Sequence, residues 1–279
     1  MMNSGRSKLQ FIISILRSRE MIFTILLLIK KRLLFAIRGP YKDTLPVFLL
    51  GCGRSGTSML LNTFRRDDRV EALGENDTKI AKNFMLVKEQ IGPAIENCKA
   101  PVLIMKPILN SFDASSLLKS YHRAKIIWII RDYRDVISSS IIKFGTRVPD
   151  YMKNLVLLKQ GNNWLSLGIQ PETLEMLSKV DSTTFTHFDW MGLIWWSVNR
   201  TIILDQLYKH NNFLLLHYEN LVHDPDVVLK HIYEFIGLEY KHGVGKYIHY
   251  LSVGKGKSIY LHPHVQKLCN DLYEDLKHF

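Results

Sequence analysis

Short apolar runs alternate with helically spaced hydrophobic residues along most of the chain. The apolar runs predict β-strands over Val47–Leu50, Val70–Leu73, Val102–Met105, Ile126–Ile130 and Phe213–His217. The helical patterns cover Thr57–Arg66, Asp77–Gln90, Asp113–Tyr121, Asp132–Lys143, Trp190–His210, Pro225–Ile236 and Val265–His278. Strands that alternate with helices in this way predict an α/β fold, in which a parallel sheet is covered by helices on both faces.

Residues 1–40 form a basic leader that stands apart from this pattern. Apolar residues recur at helical spacing between residues 9 and 38, and arginines and lysines lie between them. The longest uncharged run of the leader, Met21–Ile29, has nine residues, eight of them apolar, whereas a membrane-spanning helix needs about 20. The pattern predicts an N-terminal amphipathic helix. Two placements fit it: on the surface of an anionic membrane, or packed on the protein core or on a second subunit.

Residues 41–279 are predicted to form one domain. Within this domain, residues 144–189 do not follow the alternation, because glycines and prolines recur in them and only two weak helical patches are visible. A long segment of this kind in a compact domain is usually functional. We interpret residues 144–189 as a lid over the site of an acceptor substrate.

Composition narrows the classes of partner and of site. The 279 residues carry a net charge of +11, which suits a nucleotide, a membrane surface or nucleic acid. No helix-turn-helix, RNA-binding aromatic motif or zinc-finger spacing is present, which argues against nucleic acid. Because Cys52, Cys98 and Cys269 lie far apart, we predict neither a disulfide framework nor a metal site. We therefore expect a cytoplasmic protein.

A glycine-rich loop between the first strand and the first helix carries the main chemical signal. Residues 51–58 read GCGRSGTS, and in a strand–loop–helix unit the backbone N–H groups and the helix dipole bind phosphate. The loop lacks the lysine of ATP- and GTP-binding loops, because Thr57 occupies that position. Its three glycines also match the GxGxxG pattern of dinucleotide-binding enzymes, with Glu71 or Glu75 near the position of the ribose-binding acid.

Three segments in order carry a more specific signal. Residues 53–58 read GRSGTS, residues 127–140 read IWIIRDYRDVISSS, and residues 214–238 read LLLHYENLVHDPDVVLKHIYEFIGL. Together they resemble the signatures of the PAPS (3′-phosphoadenosine 5′-phosphosulfate)-dependent sulfotransferase superfamily, in the form of its carbohydrate and tyrosyl-protein branches. The resemblance implies a P-loop-like α/β fold and a nucleotide donor. In the third segment, Asp224-Pro225 also predicts a helix N-cap followed by proline.

The resemblance assigns the two ends of the donor to two groups of residues. The 5′-phosphosulfate is expected at Gly53, Arg54, Ser55, Gly56, Thr57 and Ser58. The 3′-phosphate is expected at Arg131 and Ser139, which occupy the matching positions of the second signature. An arginine fork beside a hydroxyl suits a terminal phosphate. Lys143, one helical turn after Ser139, is expected as a third contact.

Three residues are candidates for the catalytic step. Lys106 ends the predicted strand VLIMK and corresponds to the family lysine that faces the sulfuryl group. Together with Arg54 it is expected to stabilise the charge of the transition state. The tyrosyl-protein branch takes the acceptor proton with a glutamate in a Gly-Glu step, and Gly74-Glu75 matches that step, which makes Glu75 the candidate base. Glu71 and His187 stay as alternative bases.

The predicted function is in-line transfer of a sulfuryl group from PAPS to a hydroxyl or amine acceptor, without a metal. The long lid segment and the leader favour a glycan or a glycolipid as the acceptor. Two alternatives stay open, a Rossmann-type dinucleotide oxidoreductase and a nucleotide-binding protein without turnover. The leader adds the expectation of peripheral contact with a membrane through residues 9–38.

Overall fold

A five-stranded parallel sheet lies at the centre of the computed structural model, which describes residues 25–26, 29–246, 248, 253–256 and 258–279. Its strands are β1 (Leu45–Gly51), β2 (Val70–Gly74), β5 (Val102–Lys106), β6 (Lys125–Ile130) and β7 (Phe213–His217). They are arranged in the order β2-β5-β1-β6-β7. A small antiparallel hairpin pairs β3 (Ala81–Lys82) with β4 (Met85–Leu86). The predicted parallel sheet is confirmed.

Helices flank the sheet on both faces. They are α1 (Thr57–Phe64), α2 (Lys88–Glu96), α3 (Ala114–Ser120), α4 (Tyr133–Phe144), α5 (Arg147–Leu158), α6 (Trp164–Gly168), α7 (Pro171–Ser178), α8 (His187–Leu204), α9 (Tyr218–His223), α10 (Pro225–Phe235) and α11 (Pro263–Leu276). Two short 3₁₀ helices cover Ile108–Asp113 and Leu207–Lys209. The predicted N-cap of α10 is confirmed, because the Asp224 side chain accepts from the Val227 N–H, 3.3 Å away, and Pro225 opens the helix.

Strand β1 shows why the sheet has a core on each face. Phe48 and Leu50 pack into one buried cluster, and Val47 and Leu49 pack into the other. All four side chains are fully buried. A parallel strand covered on both faces needs apolar residues at every position, which explains the continuous apolar run in the sequence.

The parallel arrangement brings the candidate site residues to one edge of the sheet. The glycine-rich loop follows β1, Glu75 follows β2, Lys106 ends β5, and Arg131 follows β6. The strand register aligns Gly74 with Lys106 across β2 and β5. Carboxyl ends of parallel strands form the ligand-binding crevice of such sheets. Four segments that lie far apart in the sequence therefore meet there.

The helix predicted over Asp77–Gln90 is wrong. This stretch contains the β3–β4 hairpin, and the helix that follows, α2, starts only at Lys88. At the hairpin turn, Asn83 and Phe84 have φ angles of 52° and 65°. Positive φ at both central residues is the geometry of a type I′ hairpin turn, for which asparagine is well suited.

The segment 144–189 is more ordered than its composition suggests. It contains α5, α6 and α7, and Met152, Leu155, Leu165 and Leu177 on these helices are buried in the core. The Phe112 and Trp164 rings stack with their centroids 6.2 Å apart, which joins α6 to the 3₁₀ helix after β5. The role of this segment as a lid stays a prediction, as does the domain boundary at residue 40.

The leader is helical at residues 25–26 and 29–37. Its residues 9–24, 27 and 28 lie outside the described part of the chain. Among the described residues, no helix is both long enough and apolar enough to cross a bilayer.

Candidate active site

The loop after β1 turns sharply into α1 at Gly56. This residue has a φ angle of 100°, a left-handed conformation that costs glycine less than any other residue. A Cβ atom at this position would lie 2.4 Å from the Tyr218 ring, so the ring closely covers the turn. The first N–H groups of a helix have no partner inside it. Those at the start of α1, including Thr57 and Ser58, are therefore suited to an anion.

Arg54 links this loop to the second signature. The Arg54 Nε atom donates to Ser139 Oγ over 3.0 Å, and Arg131 Nη1 donates to the Arg54 carbonyl oxygen over 3.2 Å. Arg54 has a φ angle of 72°, a conformation that costs a non-glycine residue about 1–3 kcal/mol and is enriched at functional sites. The Arg131 guanidinium also lies over the Tyr218 ring, with its Cζ atom 4.4 Å from the centroid. The structure thus brings Arg54, Arg131 and Ser139 together.

Ser55 supports the assignment of the loop to an anionic ligand. Its side chain is fully buried, and its Oγ atom has no hydrogen-bond partner among the described residues. A buried hydroxyl without a partner costs about 1–3 kcal/mol. An oxygen of a bound phosphosulfate could accept from this hydroxyl and remove that cost. The loop residues therefore fit the predicted donor.

Asp135 is a residue of this site that our sequence interpretation missed. Its carboxylate accepts from Arg131 Nη2 over 3.2 Å and from the N–H groups of Gly254 and Gly256 over 2.8 and 2.7 Å. A Cβ atom on Gly256 would lie 2.2 Å from the Arg134 backbone, so this close approach requires glycine. Asp135 thereby ties residues 253–256 to the arginine of the second signature. Its position four residues after Arg131 was the available signal.

We expect Asp135→Asn to loosen the segment 253–256. Asparagine keeps one acceptor oxygen but loses the charge, and a hydrogen bond to a charged group contributes about 1.5–3 kcal/mol. Trypsin should then cleave after the exposed Lys255 about tenfold faster or more. Asp132→Asn is the matched control, since Asp132 caps the same helix and contacts Arg134. If both the cleavage rate and the melting temperature of Asp135→Asn equalled those of the wild type, Asp135 would not hold the segment 253–256 in place.

Lys106 joins the glycine-rich loop to the candidate base. Its ammonium forms an ion pair with the Glu75 carboxylate and donates to Ser58 Oγ over 3.2 Å. The Lys106 side chain is buried, whereas Glu75 is partly exposed. A cation in this position can stabilise negative charge that develops beside the loop. The Glu75 carboxylate, at the end of this contact chain, is 25% exposed.

A cleft of about 310 Å³ lies beside this ion pair. It is lined by side chains of α1, of the turn after β2 and of the end of β5. Most of these residues are polar: Ser58, Asn62, Arg65, Glu75, Asn76, Asp77 and Lys106. Such a lining offers both donors and acceptors, which suits a ligand with several hydroxyl groups.

The structure places the alternative bases elsewhere. Glu71 forms an ion pair with Lys79 over 2.8 Å and accepts from the Lys99 N–H over 3.3 Å. His187 begins α8 and lies against the Phe188 ring, with the centroids 4.2 Å apart. Within the described residues, neither Glu71 nor His187 lines the cleft beside Glu75.

Lys143, which the sequence predicts at the 3′-phosphate, gains no support from the contacts of the structure. Its side chain is exposed near the end of α4 and makes no hydrogen bond or ion pair with any described residue. Its role at the 3′-phosphate stays a prediction. The three cysteines are buried and free, and the described residues contain no group of three metal-binding side chains.

The comparison with protein families decides the identity. The sulfotransferase domain family matches residues 45–268. The chain belongs to this family. It is therefore a PAPS-dependent sulfotransferase, and the matched region contains the glycine-rich loop, Glu75, Lys106 and Arg131. This finding contradicts the alternative of a dinucleotide oxidoreductase. No curated protein matches the sulfotransferase in sequence.

The solved structure of another sulfotransferase domain agrees with the fold of this sulfotransferase. The sulfotransferase domain from the curacin biosynthetic pathway has 13% sequence identity and a TM-score of 0.55, and the match covers 81% of this chain and 96% of that one. The mouse sulfotransferase SULT7A1 complexed with PAP has 16% identity and a TM-score of 0.48, with 87% and 88% covered. The sulfotransferase domain of the Synechococcus olefin synthase has 17% identity and a TM-score of 0.47, with 86% and 96% covered.

Proposed function

We propose that this sulfotransferase moves the sulfuryl group of PAPS to a hydroxyl of a glycan or a glycolipid, with Glu75 as the general base. The observation that carries the proposal is the contact chain from Glu75 through Lys106 to Ser58. It connects a carboxylate that borders an open cleft with the loop suited to the donor. An amine acceptor would receive the sulfuryl group by the same reaction.

The donor is proposed to bind along the loop and the start of α4. The 5′-phosphosulfate would accept from the N–H groups and hydroxyls of residues 53–58 and from the Arg54 guanidinium. Arg131 and Ser139, together with Lys143, would hold the 3′-phosphate. The mutual contacts of Arg54, Arg131 and Ser139 support a single continuous site for both ends of the nucleotide.

The transfer step exchanges one sulfur–oxygen bond for another. The acceptor oxygen forms a bond to sulfur while the bond from sulfur to the 5′-phosphate oxygen breaks. The electron pair leaves with PAP, and the acceptor proton passes to Glu75. Lys106 and Arg54 stabilise the negative charge that develops on the bridging and sulfuryl oxygens, as cations do in phosphoryl transfer.

The polar cleft is the proposed site of the acceptor. Asn62, Arg65, Asn76 and Asp77 line it beside the base, and amide, guanidinium and carboxylate groups together suit sugar hydroxyls. Residues 144–189 stay our candidate for a lid. Sulfated lipids and glycans compared between cells with and without the gene test the acceptor class. A new sulfated phenol or peptide as the sole difference would contradict a glycan or glycolipid.

Donor recognition is tested with Arg131→Ala. We expect this variant to bind PAP about 10- to 100-fold more weakly, because a hydrogen bond to a charged group contributes about 1.5–3 kcal/mol. Binding of adenosine 5′-phosphate, which lacks the 3′-phosphate, should barely change. Isothermal calorimetry measures both ligands.

Arg134→Ala serves as the control for Arg131→Ala. Arg134 lies three residues further along the chain, in α4, but contacts Asp132 and the Tyr133 ring, so both affinities should be retained. Equal losses for PAP and for adenosine 5′-phosphate in Arg131→Ala would contradict its role at the 3′-phosphate. Stabilisation of the wild type by ATP or NADH as large as that by PAP would contradict the proposed donor.

We also propose that the protein works in the cytoplasm at a membrane surface, without a nucleic-acid partner. The net charge of +11 supports attraction to an anionic surface. Exposed apolar side chains on the leader, Leu33 and Ile37 among them, support contact with lipid.

A further inference from the structure

One face of the leader helix is docked on the catalytic domain. The Lys31 ammonium donates to the carbonyl oxygens of Arg65 and Asp67, 3.0 and 2.7 Å away, and to that of Val70. Phe35, one turn later, packs against the core. Burial lowers the pKa of Lys31 to about 8, so the ammonium is still the major form at neutral pH. These contacts hold the helix against the connection from α1 to β2.

The opposite face of the same helix is apolar and exposed. Ile29, Leu33 and Ile37 recur at every fourth position of the helical residues 29–37, and Leu33 and Ile37 are 63% and 82% exposed. Residues spaced by four lie on one face of a helix. A continuous row of this kind in contact with water is unfavourable for a soluble protein, because apolar surface gains free energy when it is buried.

Basic residues border this apolar row on both sides. Successive helical residues are rotated by about 100°, which places Lys30 at one edge of the row of Ile29, Leu33 and Ile37 and Arg32 at the other edge. Both basic side chains are exposed. An apolar sector between two basic edges is the arrangement of helices that lie in the surface of an anionic bilayer. A protein partner would have to match the same pattern with an apolar groove between acidic rims.

We infer that residues 29–38 form a strap that lies in the surface of an anionic lipid bilayer through the Ile29–Leu33–Ile37 row while Lys31 docks its other face on the catalytic domain. The inference deepens the proposed contact with a membrane and rests on it. The Arg65 carbonyl accepts from Lys31, and the Arg65 side chain lines the acceptor cleft. The strap therefore connects the lipid surface to a wall of that cleft, which suits a glycolipid acceptor.

The test uses the full chain and vesicles of phosphatidylcholine with or without phosphatidylglycerol. The wild type should float with the anionic vesicles, and high salt should release it, because screening weakens the attraction of Lys30 and Arg32. Leu33→Glu should weaken this binding at least about tenfold, since it removes apolar surface and adds a negative charge. Leu167→Glu is the matched control, because Leu167 is 75% exposed on α6 and lies outside the strap.

Each of the remaining outcomes would overturn the inference. The wild type could fail to bind the vesicles, or wild type and Leu33→Glu could bind anionic vesicles equally well. The bound protein could resist alkaline extraction, as a membrane-spanning protein does. The protein could also form a dimer that Leu33→Glu dissociates, in which case the apolar row binds a second copy of the chain. PAP binding is measured on every variant. If the wild type binds PAP but not vesicles, only the strap is rejected. If the wild type does not bind PAP, the proposed donor is rejected.

The docked face has its own test. Lys31→Met keeps the length of the side chain but cannot donate to the three carbonyl oxygens. Vesicle binding should persist, while trypsin should cleave after Arg38 faster than in the wild type. Unchanged cleavage would mean that Lys31 does not hold the strap on the domain.

Discussion

Replacement of Glu75 by glutamine should lower turnover by roughly 10²–10⁴-fold, the usual contribution of a general base. Glutamine keeps the shape of the side chain and can still accept from Lys106, but it cannot take the acceptor proton. PAP affinity should barely change, because Glu75 borders the acceptor cleft and contacts the donor loop only through Lys106. Release of PAP from PAPS in the presence of a membrane extract measures turnover.

The pH dependence separates a base from a merely structural carboxylate. Only an ionised carboxylate can accept a proton, so any part of the pH dependence of the wild-type rate that comes from Glu75 should be absent in Glu75→Gln. Glu71→Gln is the matched control, because Glu71 lies on β2, the strand that Glu75 follows, but pairs with Lys79. Near-normal turnover of Glu75→Gln would transfer the role to another residue, such as Glu71 or His187.

Replacement of Lys106 by methionine should lower turnover by about 10²–10³-fold, the cost of removing one group that stabilises the transition-state charge. PAP carries no sulfuryl group, so its affinity should fall much less than turnover does. Methionine fills a similar volume, but removing one partner of a largely buried ion pair also destabilises a protein. Turnover is therefore measured well below the melting temperature of the variant.

Lys79→Met provides the comparison for Lys106→Met. It breaks the ion pair between Lys79 and Glu71 of β2, in which the lysine is exposed. Exposed pairs contribute about 0–1 kcal/mol to stability, so neither turnover nor PAP affinity should change much. If Lys106→Met lost PAP affinity and turnover in equal measure, Lys106 would act in ground-state binding of the nucleotide and not in the transition state.

Much of the fold could be predicted because its strands are buried on both faces. Such strands require uninterrupted apolar runs, and the runs at β1, β5 and β6 are visible in the sequence without any partner. The helix predicted over Asp77–Gln90 failed because a short hairpin has no periodic pattern. It depends on a turn at Asn83-Phe84 and on the Asn110 side chain, which accepts from the Leu86 N–H over 2.8 Å.

The sequence by itself determined the kind of chemistry, because the phosphate loop is a continuous segment whose glycines and hydroxyls act through local geometry. Only the tertiary structure decided which distant residues meet. The contact of Glu75 with Lys106 depends on the register of β2 with β5, and the tether from Asp135 to Gly254 and Gly256 spans more than a hundred residues. Such contacts leave no local pattern, since they form only when the parallel strands bring their carboxyl ends to one edge.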